Sequence, residues 1–546
     1  GGTFDASVTF AGDIIKSTSG TSNFAAGVNA GNSIASGGNY NVTVGDEAGT
    51  AITTGDNNVA VGFEALKTED AHGENTAVGS GALKTLNAGT DSKSTAIGYR
   101  AGTAMTTGRF NVLVGKDAGL AITGGDYNTA VGIEALKTDT NGHTAVAIGT
   151  NALSAQNFTS ETSNYNVGVG YLAGASITTG VQNTLLGSFA GDALTDADFN
   201  VAVGLNALTA DTQGSQSTAI GYQALATQNV GSATNMLNTA VGYNAGALVT
   251  TGTLNTLVGG GAGDALNTGE GNTALGRNAL GADTKGDLSV AIGYSALANQ
   301  NFSSNTDTYN TAVGFNAGGA VTTGTANTMV GSLAGQSMTT GGYNTFLGIN
   351  ASAGATVTGN SNTCLGDAAA YSLTSGSNNI VIGKDAGRTG SPGGNITTHS
   401  NNICLGEDNI SAAYIQVDWT ISSDERDKTD FTALDIGLDF VNGLKPVTYK
   451  WDKRSKYGDK YADDYDITAQ TPDGTHKEDW LDVGFKAQEV EALEKSVGYK
   501  FEDKTNLTTS LTEDGKQYGI QYTKFVPILV KAIQELSAEV TALKGE

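Results

Sequence analysis

A short apolar motif returns along most of the chain at a nearly constant spacing. The sequence Asn-Thr-Ala-Val-Gly, or a close relative of it, ends on a glycine 22 times, and most steps between motif glycines equal the step from Gly115 to Gly132. Three longer steps end at Gly170, Gly242 and Gly314, so that every fourth step is a long one in this part of the chain. A constant period of this kind is typical of a solenoid, in which each repeat forms one coil. The pattern therefore predicts a mainly β fold with stacked parallel coils from about residue 23 to residue 406.

The positions next to the motif glycine indicate what each coil must bury. The residue before the glycine is a branched aliphatic in every copy after the first, and the residue before that is usually Ala, Leu, Met or Cys. Adjacent strand residues point to opposite faces, so both faces of each motif strand need a cover. One face can line the interior of the coil, whereas the other needs a second chain or another layer. We therefore predict a parallel homotrimer, in which three chains cover the apolar face that one solenoid would expose.

Two polar or small positions are nearly constant in the repeat. Asn stands four residues before the glycine in 18 of 22 copies, and Ala stands three residues after it in 21 of 22. The Asn column predicts an amide ladder with bonds between stacked side chains, and the Ala column predicts a narrow interior. Cys364 and Cys404 occupy the interior position two residues before a motif glycine. We predict that both are free thiols that serve as small apolar fillers.

Composition separates the repeat from a C-terminal segment. All four Pro and all three Trp lie beyond residue 391. The net charge is −25, and the sequence contains no stripe of basic residues. An acidic surface argues against nucleic acid and anionic lipid as partners. No apolar run approaches the roughly 20 residues that span a bilayer, so we expect no membrane insertion. We also expect no metal and no cofactor.

Four regions follow from these shifts. Residues 1–22 are expected to be the end of an attachment region, residues 23–406 the shaft, residues 407–422 a linker strand, and residues 423–546 a small α+β domain. Within the linker, the sequence of residues 412–420 predicts the strand itself. The sequence Ile-Ser-Ser-Asp-Glu-Arg-Asp-Lys over residues 421–428 locally predicts a helix start, with Ser423 as a possible N-cap and acids in the first turn.

The C-terminal segment carries four motifs in order. They are the pattern Ser-Asp-x-Arg-x-Lys over residues 423–428, the run over 438–451, the run over 483–490, and the run over 518–529. Together, over about residues 420–546, they resemble the intramolecular chaperone domain, peptidase family S74, at the end of phage tailspikes and tail fibres, including the endosialidases. Such domains trimerise the fibre, template its folding and cut themselves off before the Ser of the Ser-Asp motif.

The resemblance implies roles for particular residues. Ser423 and Lys428 would be the catalytic pair, and the peptide bond between Ser422 and Ser423 would be cut. Asp424 and Arg426 would orient the turn, or would form only a solvated ion pair. A serine hydroxyl is a weak nucleophile that needs a base, and a lysine serves as a base only where burial favours its neutral form.

The last helix is predicted to support the trimer. Two interleaved series with a spacing of seven form a short coiled-coil seam: Val526, Ile533 and Val540, and Leu529, Leu536 and Leu543. An amphipathic helix that packs on its own domain would show a similar pattern.

Three functions fit this organisation. The first is a structural tail fibre in a phage virion, which attaches to other tail or particle proteins and binds a glycan or protein receptor on the host surface. The second is a bacterial surface or secreted trimeric adhesin, because the repeats also resemble the heads of trimeric autotransporter adhesins. The third is a glycan depolymerase, which would need paired carboxylates in a groove, whereas the repeats carry scattered single acids. The one catalytic activity expected is a single-turnover self-cleavage by the C-terminal domain.

Overall fold

The computed structural model describes residues 18–417, 419–462 and 464–545, and the chain forms two compact units, Gly1–Thr325 and Ala326–Glu546. Residues 1–17, the greater part of the predicted attachment segment 1–22, lie outside the described residues. No helix in the described ranges is long and apolar enough to cross a membrane.

The first unit is a stack of short parallel strands, one in each coil. Each strand pairs in register with its counterpart in the next coil, so that Ala130 lies opposite Ala147. The predicted parallel solenoid is confirmed. The strands are Phe24–Ala26, Val42–Val44, Val59–Val61, Thr76–Val78, Thr95–Ile97, Val112–Val114, Thr129–Val131, Val146–Ile148, Val167–Val169, Thr184–Leu186, Val201–Val203, Thr218–Ile220, Thr239–Val241, Thr256–Val258, Thr273–Leu275, Val290–Ile292 and Thr311–Val313.

The three longer steps build an additional local structure. In each of them a second, two-residue parallel pairing forms beside the main stack. The pairs are Gly142–His143 with Thr162–Ser163, Gly214–Ser215 with Thr234–Asn235, and Gly286–Asp287 with Thr306–Asp307. The extra residues therefore add a regular strand pairing once in every four coils.

The second unit contains the last coils and the C-terminal domain. Its solenoid strands are Thr328–Val330, Thr345–Leu347, Thr363–Leu365, Ile380–Ile382 and Ile403–Leu405. The domain has three α-helices, α1 (Leu438–Gly443), α2 (Ala487–Ser496) and α3 (Phe525–Lys544), and 3-10 turns at Glu425–Asp427, Arg454–Lys456 and Tyr522–Lys524. Its antiparallel strand pairs are Val447–Tyr449 with Asp482–Gly484, and Thr509–Leu511 with Tyr518–Ile520. The predicted small α+β domain with a terminal helix is confirmed.

The solenoid interior is narrow, as the alanine column predicts. The central residue of each motif strand and the alanine three residues after the glycine are buried, as for Ala130 and Ala135. The two cysteines are buried free thiols, which confirms their assignment as fillers. Burial raises the pKa of the Cys364 thiol to about 12.

The motif glycine allows successive coils to approach closely. Gly242 has a φ of 141°, and a Cβ built on it would lie 2.6 Å from the carbonyl oxygen of Gly259 in the next coil. Both the positive φ and the contact exclude a side chain at this position.

The asparagine ladder runs mainly between side chain and backbone. Asn183 Nδ2 donates to the Ala197 carbonyl at 2.8 Å, and Asn183 Oδ1 accepts from the Asn200 backbone N–H at 3.0 Å. Direct amide-to-amide bonds also occur, such as Asn75 Nδ2 to Asn58 Oδ1 at 3.2 Å. The predicted column is present, but its recurring bonds satisfy backbone groups that the tight turns leave unpaired.

The predicted linker strand over residues 412–420 does not form among its described residues. Its apolar side chains are exposed, with Tyr414 at 96% and Trp419 at 71% of full accessibility. A strand needs a neighbouring edge to pair its backbone groups, and the described part of the chain provides no such edge at this segment.

Candidate functional site

The segment after the linker makes one turn of 3-10 helix, Glu425–Asp427. Asp424 is its N-cap, and its Oδ1 accepts from the Arg426 backbone N–H at 2.9 Å. The predicted cap, Ser423, is one residue too early, because the Asp424 carboxylate is a stronger acceptor and takes that N–H. The Ser423 hydroxyl is consequently left to a different partner.

That partner is Lys428. The turn places Lys428 Nζ 2.5 Å from Ser423 Oγ and 3.2 Å from the Ser423 carbonyl oxygen. The two residues implied as a catalytic pair are thus in hydrogen-bond contact, directly after the peptide bond that joins Ser422 to Ser423. Both side chains are exposed to solvent in the single chain.

Asp424 and Arg426 close the turn from its other side. Arg426 Nε lies 3.0 Å from Asp424 Oδ1, and Arg426 Nη2 lies 2.6 Å from Asp424 Oδ2. The Arg426 side-chain hydrogen bond holds the pKa of the Asp424 carboxyl below its usual value. The pair is solvated, so it adds little stability, but its forked geometry fixes the turn that carries Ser423 and Lys428.

The domain behind this turn has its own apolar core. Ile436, Phe440, Val490, Phe525 and Ile528 are buried together, and they join α1, α2 and α3.

A buried carboxylate ties α2 to the strand Thr509–Leu511. Glu494 accepts from the Thr508 backbone and hydroxyl at 2.6 and 2.7 Å, and from the Thr509 hydroxyl at 2.5 Å. A buried carboxyl group with this many donors has its hydrogen bonds satisfied, so Glu494 has a structural role.

A second ionic cluster joins the last coil to the domain within the second unit. Lys460 Nζ lies 2.7 Å from Asp408 Oδ1 and 3.2 Å from Glu407 Oε2, and the Ser455 hydroxyl also donates to Asp408. Burial disfavours both charges, but hydrogen bonds with Glu407, Lys460 and Ser455 hold the pKa of Asp408 well below its usual range. The hydrogen bond to Asp408 likewise raises the pKa of Lys460 against the effect of burial. Sequence reasoning missed this cluster, because its members stand far apart in the sequence without a motif.

An exposed aliphatic column runs along each unit of the solenoid. It consists of the residues just before the motif glycines. Its valines are half-buried, and it is most exposed at Leu186, Leu275 and Leu405, with fractional exposures of 47%, 46% and 49%. The strand residue before each of these is fully or almost fully buried. The sequence predicted two apolar faces, and the single chain buries one of them.

The α3 helix has two apolar stripes, of which one is buried and the other is exposed. Phe525, Ile528 and Ala532 are buried against the domain. The heptad stripe points elsewhere and is exposed, with Ile533 at 65% and Leu543 at 87%. The heptad residues therefore do not pack on their own domain, and their place in a trimer seam stays a prediction.

Residues 423–499 match the family model described as the chaperone of endosialidase, Peptidase S74. The match begins at Ser423 and ends before α3. No curated protein and no solved structure matches the chain.

Proposed function

From the premise that the chain ends in a chaperone-of-endosialidase domain, we propose that it is the trimeric shaft of a phage tail fibre. The C-terminal domain drives trimerisation of the shaft and then separates from it by cutting between Ser422 and Ser423. The mature shaft attaches to tail or particle proteins and binds a glycan or protein receptor on the host surface.

The exposed aliphatic column is the observation that carries the proposal. A soluble monomer rarely exposes a contiguous apolar patch larger than a few hundred Å². The column returns with every coil, and a threefold axis parallel to the stack brings three such columns together in register. The heptad stripe of α3 supports the same symmetry at the C-terminal end, since a coiled coil buries residues spaced in this way.

A templating domain suits the folding problem of this shaft. Each coil has one three-residue strand that gains its hydrogen bonds from the next coil, and parallel pairings form slowly. Unpaired strand edges invite wrong association while the stack is incomplete. A domain that folds by itself and holds three chains side by side removes the search for register.

The contact between Lys428 Nζ and Ser423 Oγ supports the following course for the proposed cleavage. Ser423 Oγ attacks the Ser422 carbonyl carbon while Lys428 Nζ takes the hydroxyl proton and passes it to the departing Ser423 nitrogen. The C–N bond breaks as the C–O bond forms, and water then hydrolyses the ester. The products are a shaft that ends in the Ser422 carboxylate and a domain that begins with the Ser423 amine.

Assembly would control the timing of this reaction. The amine must be neutral to accept a proton, and the pair is exposed in the single chain. Burial by neighbouring chains would favour the neutral amine. Cleavage would then follow trimer formation.

The test compares the full chain with a chain that stops at residue 422. The full chain should give a soluble shaft and two fragments, 1–422 and 423–546, on a denaturing gel. The shortened chain should aggregate, because nothing holds three chains in register. A soluble, regularly assembled 1–422 product in equal yield would refute the chaperone role.

A further inference from the structure

Seven residues after the motif glycine, some coils carry a polar side chain in the interior of the solenoid. In the coil that begins at Gly132 this residue is Asp139, and in the following coil it is Gln156; both are fully buried. Gln156 Nε2 donates to Asp139 Oδ2 at 2.6 Å, and Gly142 N donates to Asp139 Oδ1 at 3.0 Å. The glutamine of the second coil thus donates a hydrogen bond to the carboxylate of the first, a contact that we call the glutamine closure.

The same closure returns with every fourth coil. Gln228 Nε2 donates to Asp211 Oδ2 at 2.5 Å, and Gln300 Nε2 donates to Asp283 Oδ2 at 2.6 Å. A glycine stands three residues after each aspartate, at positions 142, 214 and 286.

In the first copy of this arrangement, the glutamine that donates to the carboxylate is missing. The carboxylate is Glu69, fully buried, but the glutamine position in the next coil is Leu86 and the glycine position is His72. Glu69 Oε2 has no hydrogen-bond partner among the described residues. The His72 backbone N–H donates to Glu69 Oε1 at 3.3 Å, so Oε2 alone lacks a partner, and a cation would offset the free-energy cost of burying that oxygen.

His72 and Asp70 supply the rest of a ligand set. His72 Nδ1 lies 3.2 Å from Glu69 Oε1 and 4.0 Å from Asp70 Oδ1. One ligand atom from each of the three residues lies within 4.8 Å of the other two. Asp70 and His72 are half-buried, so the set is reachable from solvent.

We propose that Glu69, Asp70 and His72 bind a divalent ion of the zinc class. One imidazole nitrogen and two carboxylate oxygens are ligands that Zn²⁺ takes in a tetrahedral site, with water as the fourth. Mg²⁺ and Ca²⁺ prefer oxygen alone, so the histidine selects against them. A bound ion would stabilise the coil that contains Glu69, where no glutamine of the next coil donates to the carboxylate.

Calorimetric titration of the full chain with ZnCl₂ tests the site. We expect one Zn²⁺ per chain that His72→Ala or Asp70→Ala weakens by more than the roughly 10-fold typical of losing an outer-shell partner. His143→Ala removes another half-buried histidine of the solenoid and should leave binding unchanged. MgCl₂ in place of ZnCl₂ should give no heat that depends on His72.

Leu86→Gln provides a second test that does not remove a ligand. It restores the glutamine that closes the other three carboxylates, so it should occupy Glu69 Oε2 and lower Zn²⁺ affinity. Equal Zn²⁺ stoichiometry and affinity in His72→Ala and wild type would overturn the proposal and leave Glu69 as a buried residue that only His72 contacts through hydrogen bonds.

Discussion

Single residues decide how closely the coils stack and which side chains stand beside the bond between Ser422 and Ser423. The sequence predicted the glycine and asparagine columns, because a strict period shows positions under the same constraint. The assignment of Ser423 and Lys428 as a catalytic pair came only through the resemblance of the surrounding motifs; their side chains are in contact, and their catalytic role stays a prediction. It misplaced the N-cap by one residue, because Ser423 and Asp424 are both good caps and only the geometry distinguishes them. The Glu69 site was missed, because His72 and Leu86 mark it only when the coils are aligned with each other.

At this scale, Ser423→Ala and Lys428→Ala should each abolish cleavage. The first removes the nucleophile and the second removes the group 2.5 Å from it. Both variants should still trimerise, because templating precedes the cut, and a denaturing gel should show one full-length band. Ser422→Ala is the matched control, since it keeps both groups and should cleave as wild type does. A wild-type chain that stays in one piece after assembly would remove the protease claim and leave the chaperone claim.

Gly242→Ala should destabilise the shaft. The new Cβ meets the Gly259 carbonyl oxygen and the backbone holds a φ that side chains avoid, which costs on the order of 1–3 kcal/mol per chain. The apparent melting temperature should fall. Gly260→Ala is the control, because the nearest atom to its Cβ outside the neighbouring residues of the chain would be the Tyr243 carbonyl oxygen, at 4.0 Å. Equal losses in both variants would contradict the role assigned to the motif glycine.

Elements differ in how much their sequence reveals. The period predicted the solenoid strands, and the heptad spacing predicted the terminal helix. The linker 407–422 was predicted as a strand, but its apolar residues are exposed and unpaired in the single chain. Apolar alternation indicates what a segment must bury, not which chain provides the partner edge.

On α3, Ile533→Asp should weaken trimerisation without unfolding the domain. Ile533 is 65% exposed, and burying an isoleucine in a seam contributes about 1.5–3 kcal/mol per chain. Sedimentation should show less soluble trimer and more aggregate than wild type, because chains that are not held in register associate wrongly through their strand edges. Gln534→Asp adds the same charge beside the seam and should remain trimeric. An unaffected Ile533→Asp trimer would indicate that the heptad stripe faces solvent in the assembly.

The ionic cluster at the end of the solenoid predicts a pH dependence. The pKa of Asp408 is lower in the folded state than in the unfolded state. Asp408 therefore contributes its full stabilisation of the folded state above about pH 3.9, and this stabilisation is lost only as the pH falls through the lower folded pKa. The raised pKa of Lys460 acts oppositely: its contribution is full below about 10.4 and is lost as the pH rises through the higher folded value.

Lys460→Met should therefore move acid unfolding to higher pH, because Asp408 keeps its burial and loses its main cation. Fluorescence follows this transition in the second unit, since all three Trp lie there. Lys486→Met, which breaks an exposed pair with Glu489, should leave the midpoint unchanged. An unshifted Lys460→Met midpoint would show that the cluster does not secure the last coil.

At the scale of the whole molecule, one chain is a solenoid with one apolar face covered and one exposed, followed by a domain with a bare heptad stripe. The sequence could predict these surfaces, because both follow from spacing. It could not show the Asp408 and Lys460 contact, which depends on how distant segments meet in space. Assembly, cleavage and host binding are proposals that rest on the exposed column and the matched domain.

The mass of the assembled particle tests the central claim most directly. Light scattering of the Ser423→Ala chain, which should stay uncut, is expected to give three times the chain mass of 55.2 kDa. A stable, soluble particle of 55.2 kDa would contradict the account, because a lone chain would then keep its aliphatic column and heptad stripe in water.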